Sequence, residues 1–172
     1  MEKEKTLVEI VLSNNDTIRL ELYPDIAPIT VNNFLSLVDN KFYDGTIFHR
    51  VIANFMIQTG GYFIRDNAIY EKEAKEIKGE FLSNGIKNDI KHVPGVISMA
   101  RTYIKDSASS QFFICVNTCP HLDNEYAAFG KTVDNESLEN AIKISKVKTG
   151  RFERYFDDFP VEPIIIKTIR RI

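Results

Sequence analysis

The 172-residue chain has no tryptophan and only two cysteines, Cys115 and Cys119. Two thiols make a disulfide framework an unlikely basis for the fold. No apolar run approaches the ~20 residues that span a bilayer. The opening "MEKEKTLVEIVL" carries both charge signs. It lacks the basic and apolar regions of a signal peptide, so a cytoplasmic protein is expected. A net charge of −2 offers no electrostatic case for nucleic acid or an anionic membrane as main partner. The basic end "KTIRRI" reads as a solvated terminal strand. Internal repeats, low-complexity tracts and Pro/Ser-rich linkers are missing. So are the G-x-S-x-G, H-E-x-x-H and G-x-x-x-x-G-K motifs of common hydrolases, metalloproteases and nucleotide-binding proteins.

What is present is ordinary for a globular domain: 44% hydrophobic and 27% charged residues. The length suits one domain, residues 1–172, with a sizeable core. "TLVEIVL" and "TIRLELY" flank "SNND", a hairpin signal. Ile18, Leu20 and Leu22 alternate with Arg19 and Glu21, as in a half-buried strand. After "YPDIAP", the spacing of Val31, Phe34, Leu35 and Val38 predicts a helix that starts at Pro28. A second helix is expected over "ESLENAIKISKV", with Leu138, Ala141, Ile142 and Ser145 inward and Asp134 or Asn135 as cap. "GTIFHRVI", "FMIQTG", "GVISMA", "QFFICV", "AAFGKTV" and "PIIIKTIRRI" read as strands. Strands and helices do not alternate, which argues against a parallel sheet. A closed or nearly closed antiparallel barrel with helices over its ends fits better. The stretch from Tyr62 to Pro94 is more polar and reads as loop, with a helical turn or two conceivable at "YEKEAKEIK".

Two stretches carry candidate chemistry. "CVNTCPH" invites a metal reading for Cys115, Cys119 and His121, but its spacing fits no common zinc pattern and offers no fourth ligand. A buried Cys115 on a strand and an incidental Cys119 in a loop are expected instead. In "FHRVIANFMIQTGG" an arginine, Arg50, sits among apolar residues with no Asp or Glu in the stretch. It either snorkels to the surface or pairs with a distant acid, or it stands at the edge of an apolar pocket. There its five donors would meet a neutral polar ligand such as a peptide carbonyl or amide. On "SSQFFICV", Gln111, Phe113 and Cys115 share one face, while Phe112, Ile114 and Val116 form the wholly apolar other face.

"FHRVIANFMIQTGG", "GVISMARTYIKDSASSQFFICV", "HLDNEYAAFGKTV" and the helix "APITVNNFLSLVDNKFYDGTIFHR" together resemble the cyclophilins, the peptidyl-prolyl cis-trans isomerases, in a bacterial-like form. The resemblance runs in order from about Val8 to the C-terminus. It implies a mainly β fold, a closed eight-stranded antiparallel β-barrel capped by two α-helices, with a shallow groove outside the barrel. It implies that Arg50 and Gln58 are catalytic. It implies a proline pocket of Phe55, Met56, Phe113 and Leu122, with His49, Ala100, Arg101, Gln111, His121 and Tyr126 also along the groove. Proline-containing peptides and unfolded or loop segments are the implied partners, and no cofactor or metal is implied. A monomer is the default expectation. A weakly catalytic, proline-binding or chaperone-like scaffold is the alternative. The chain departs from the family pattern where His121 replaces a tryptophan and Tyr126 a histidine, so weaker cyclosporin binding is expected. It departs also at Thr59 (a family glycine), at Tyr62 (commonly acidic) and at Arg101 (an asparagine). The Arg101 side chain is expected to favour acidic residues near the substrate proline.

Overall fold

The structure is a computed structural model and describes residues 5–154 and 156–172. The eight apolar runs become the eight strands of one sheet. They are β1 (Thr6–Leu12), β2 (Thr17–Leu22), β3 (Arg50–Ile52), β4 (Met56–Thr59), β7 (Val96–Met99), β8 (Phe112–Cys115), β9 (Ala128–Thr132) and β12 (Ile166–Arg171). Their order is β12-β1-β2-β9-β7-β8-β4-β3, antiparallel throughout. Two hairpins stand apart from it: β5 (Tyr62–Arg65) with β6 (Ala68–Glu71), and β10 (Thr149–Phe152) with β11 (Phe156–Pro160). Both fall where no strand was expected. Residues 72–80 carry no helix, so "YEKEAKEIK" is part strand and part loop.

The expectation of a closed barrel is corrected: the sheet is an open half-barrel whose edges are β3 and β12. No ladder joins those edges among the described residues. The segment before β3 meets the start of β12 through the bridge of Ile47 to Ile165 and short backbone bonds, with the Gly45 amide donating to the Ile166 carbonyl and the Ile166 amide to the Thr46 carbonyl, each at 2.8 Å. The cause is local. The Ile47 amide donates to the Tyr62 carbonyl at 2.9 Å, so the chain before β3 is shared with the first hairpin and β3 is only three residues long. The turn between β1 and β2 forms where expected, with Asn15 at φ 72 and the Asp16 amide donating to Asn14 Oδ1.

Helix α1 (Pro28–Asp39) opens at proline and buries Thr30, Val31, Phe34, Leu35 and Val38. Its Ala27 cap has no side-chain acceptor. Buried Glu80 takes that role, accepting from the Thr30 amide at 2.6 Å and the Thr30 hydroxyl at 2.7 Å. Helix α2 (Asn135–Ser145) is capped by Asp134, whose carboxylate accepts from the Ser137 amide. Its buried face is Ser137, Ala141, Ile144 and Ser145, so Leu138 and Ile142 lie at the edge of the inner stripe. Between helices and sheet, Phe34 stands 5.3–5.4 Å from the rings of Tyr43, Phe112 and Phe129. This cluster fills the interior and leaves the outer sheet face to form the groove.

Candidate active site

Strand register builds the site. Across β3, β4, β8 and β7, Arg50 lies opposite Gln58, Gln58 opposite Phe113, and Phe113 opposite Ser98. The next row on the same face is Ile52, Met56 and Cys115. The intervening row, Val51, Ile57, Ile114 and Ile97, points into the core. Thus a polar row and an apolar row stand side by side on the outside of the sheet.

The apolar row is the floor of a second, smaller cluster: Met56, Phe113, Cys115, Cys119 and Leu122, with Ile52, Phe55, Ala100 and Tyr126 packed on it. The short 3-10 turn Pro120–Leu122 carries Leu122 onto this floor. Tyr126 meets Phe113 edge-on at 5.8 Å, and exposed His121 lies 5.7 Å from Phe55. Cys119 is not incidental: it is buried in this floor, and its amide donates to the His92 carbonyl at 2.8 Å. Burial pushes the Cys115 thiol up, out of the reactive range.

The polar row forms a relay. Gln111 Oε1 accepts from Gln58 Nε2 at 3.0 Å, and Gln58 Oε1 lies 3.5 Å from Arg50 Nη1, at the limit of a hydrogen bond. Arg50 is exposed and makes no ion pair among the described residues. Gly61 sits against the Gln111 side chain, where a Cβ would approach it to 2.6 Å. The main chain of Ala100 continues the edge, its amide donating to the Gln111 carbonyl at 3.0 Å. Arg101 turns its side chain back into the protein. Its guanidinium lies 4.7 Å from both the Phe81 and Tyr126 rings and donates to the Glu125 and Thr102 carbonyls. That posture braces Tyr126 and leaves little of the guanidinium for an acidic substrate residue.

His49 points elsewhere from its neighbour. It packs on Tyr62 at 4.6 Å and Phe156 at 6.2 Å, and its Nδ1 has no hydrogen-bond partner. Burial, with Arg50 adding, pulls its pKa down to about 4, so the ring is neutral near pH 7. Thr59 is fully buried and donates to the Ile47 carbonyl at 2.8 Å, tying β4 to the chain before β3.

Sequence reading missed two contributors. Ile52 and Cys119 line the floor, and only tertiary packing reveals it. Under Phe113 lies a buried Asp123–His92–Ser98 chain: Asp123 Oδ1 is 3.0 Å from Nδ1, and Ser98 Oγ is 2.9 Å from Nε2. The His92 ring stacks on Phe113 at 6.1 Å. The carboxylate assigns the proton to Nδ1, so Nε2 accepts from Ser98. Ser98 is fully buried, so this chain supports the pocket and is not a nucleophile.

Residues 7–171 match the family model described as cyclophilin type peptidyl-prolyl cis-trans isomerase/CLD. A peptidyl-prolyl cis-trans isomerase of Acinetobacter baylyi is 41% identical over 170 residues, covering 96% of this chain and 85% of that protein. A crystal structure of a cyclophilin type peptidyl-prolyl cis-trans isomerase from Cryptosporidium parvum superposes with a TM-score of 0.78 at 26% identity, covering 98% of each chain. Another structure of that protein, solved in the presence of the dipeptide Ala-Pro, gives a TM-score of 0.75 at 28% identity over 95% of this chain and 97% of that one. The chain therefore belongs to the cyclophilin-type peptidyl-prolyl cis-trans isomerases and is an isomerase enzyme.

Proposed function

We propose that the groove binds an X-Pro segment with its ring over Met56, Phe113, Leu122 and Phe55, and that Arg50 catalyses rotation of the X-Pro bond. The observation that carries this reading is an exposed guanidinium, in no ion pair among the described residues, next to an apolar slot. Rotation is slow because amide resonance must be lost, a barrier of roughly 18–20 kcal/mol. In the twisted state the proline nitrogen becomes pyramidal and gains a lone pair. A guanidinium N–H aimed at that nitrogen stabilises the twisted state more than either planar one. Raising a rate of roughly 0.01 per second to about 1,000 per second requires a barrier drop near 7 kcal/mol. One charged donor supplies about half. Desolvation of the proline and clamping of its flanking carbonyls by Gln58, Gln111 and the Ala100–Arg101 main chain supply the rest.

The Ala-Pro dipeptide used with the Cryptosporidium parvum protein supports a proline-containing peptide as ligand here. Clients are then unfolded chains or exposed loops, and the working unit is a monomer. His121 and Tyr126 at the rim support weaker cyclosporin binding than a tryptophan-bearing member shows, which a side-by-side titration measures. The deciding experiment is isomerisation of a short X-Pro peptide by wild type and Arg50→Ala. A fall in kcat/KM of about 100-fold or more is expected, with peptide binding retained. Equal rates refute the role of Arg50. Peptide binding without wild-type turnover favours a proline-binding scaffold instead.

A further inference from the structure

On the far side of Arg50 from the proline pocket lies a second cavity of about 330 Å³, lined by His49, Arg50, Tyr62, Phe156, Asp157 and Asp158. Strand β11 supplies its outer wall through Phe156, Asp157 and Asp158. We propose that this cavity is a specificity subsite, taking a lysine or arginine side chain of the substrate polypeptide close to its X-Pro unit. The proposal rests on the isomerase reading of Arg50, which is shared by the two sites.

The lining suits a cation in three ways. The lining holds two acids to one guanidinium, with Asp158 on the same face of β11 as Phe156 and Asp157 on the other, and Glu71 adds to the field felt by Tyr62. The Tyr62 and Phe156 rings meet edge-on at 5.1 Å and present aromatic surface to an ammonium or guanidinium. His49 is 7% exposed, and its Nδ1 has no partner among the described residues. The Nδ1 atom itself is sealed from solvent, so the imidazole contributes a neutral wall that does not repel a cation.

The resident cations leave room for a ligand. Arg50 leans towards Gln58, and Arg151 holds Asp157 only loosely, at 3.7 Å with both side chains largely exposed. Asp158 makes no ion pair among the described residues. A lysine stem lying along Tyr62 and Phe156 would set its ammonium beside Asp158, with Asp157 adding its charge from the other face of β11, while its backbone stays in the groove.

The test measures isomerisation of peptides with Lys, Gln or Glu placed in turn at each of the two positions on either side of an Ala-Pro unit. Wild type, D158N and D157N/D158N are compared. At one position wild type is expected to favour Lys over Glu by about three- to five-fold in kcat/KM, and the preference should shrink in the variants and in concentrated salt. Ratios near unity at every position overturn the subsite, as does a preference that survives in D157N/D158N. An equal change for all peptides assigns the acids to Arg50 and also overturns it. Failure of wild type to turn over any peptide would defeat the isomerase reading instead. The subsite would then be judged by the same Lys-to-Glu ratio in peptide Kd, by NMR titration, with the same outcomes deciding.

Discussion

Phe112 and Phe113 are neighbours on β8, both buried, yet they belong to different machines. Phe112 points inward and packs edge-on against Phe34 and Tyr43, each at 5.4 Å. Phe113 points outward, between His92 and Tyr126, in the small cluster under the groove. The inner cluster is closed on all sides by helices and sheet. The outer one is closed on one side only, and its missing side is where a proline ring would fit. An apolar sheet face with no element to cover it is a stability liability unless a ligand uses it.

The largest effect should separate these two rings. Phe112→Ala is expected to lower stability by about 3–5 kcal/mol in urea melts, while the folded fraction keeps its turnover. Phe113→Ala should cost less stability, because its cavity opens to solvent, and should lower kcat/KM on an X-Pro peptide roughly 100-fold. The reverse pattern would break the comparison.

A second effect is specific to the outer region, which holds two buried histidines whose pKa values lie below the usual histidine value, chiefly through burial. The unfolded chain takes up these protons as pH falls below about 6.5, whereas folded His49 resists until about 4. Their contribution is thus complete above the unfolded value and is lost as pH falls towards the folded one. For His49 the loss is of order 3 kcal/mol. His49→Gln should flatten the stability profile between those limits, measured by urea melts at stepped pH; an unchanged slope would assign the acid sensitivity elsewhere.

Two smaller effects sharpen the picture. Gly61→Ala would press on the Gln111 amide and break its bond to Gln58, slowing turnover about five-fold with little change in stability, since a flexible side chain can swing away. Thr59→Val removes the hydroxyl bond to Ile47 and should cost about 1 kcal/mol with turnover nearly intact. A large loss of turnover in Thr59→Val would mean that this tie, rather than the relay, sets the position of Arg50.

Much of this is legible in the amino-acid sequence. Each strand of the main sheet showed as a short apolar run, and α1 showed in the spacing of Val31, Phe34, Leu35 and Val38. The two hairpins did not show, because their strands are mostly half-buried or exposed and lack a clean apolar alternation. One local signal was available: Asp66 and Asn67 both adopt positive φ, the turn chemistry of a tight hairpin. The Asp134 cap was readable, but the Glu80 cap was not, since it arrives from fifty residues away. Groove residues were named through family motifs. Ile52, Cys119 and the His92 chain were not, because nothing local marks a side chain that meets its partners only across strands.

The sequence by itself determined which segments form the main sheet and the two helices, and that Arg50 has no acid in its own stretch, because periodicity and composition are local properties. Only the tertiary structure decided that the sheet stays open between β3 and β12, that Arg50 stands in one row with Gln58 and Phe113, and that Asp157 and Asp158 come to its other side. Those outcomes depend on register and packing between segments that can lie more than a hundred residues apart, where backbone hydrogen bonds and burial act together and no short window carries the information.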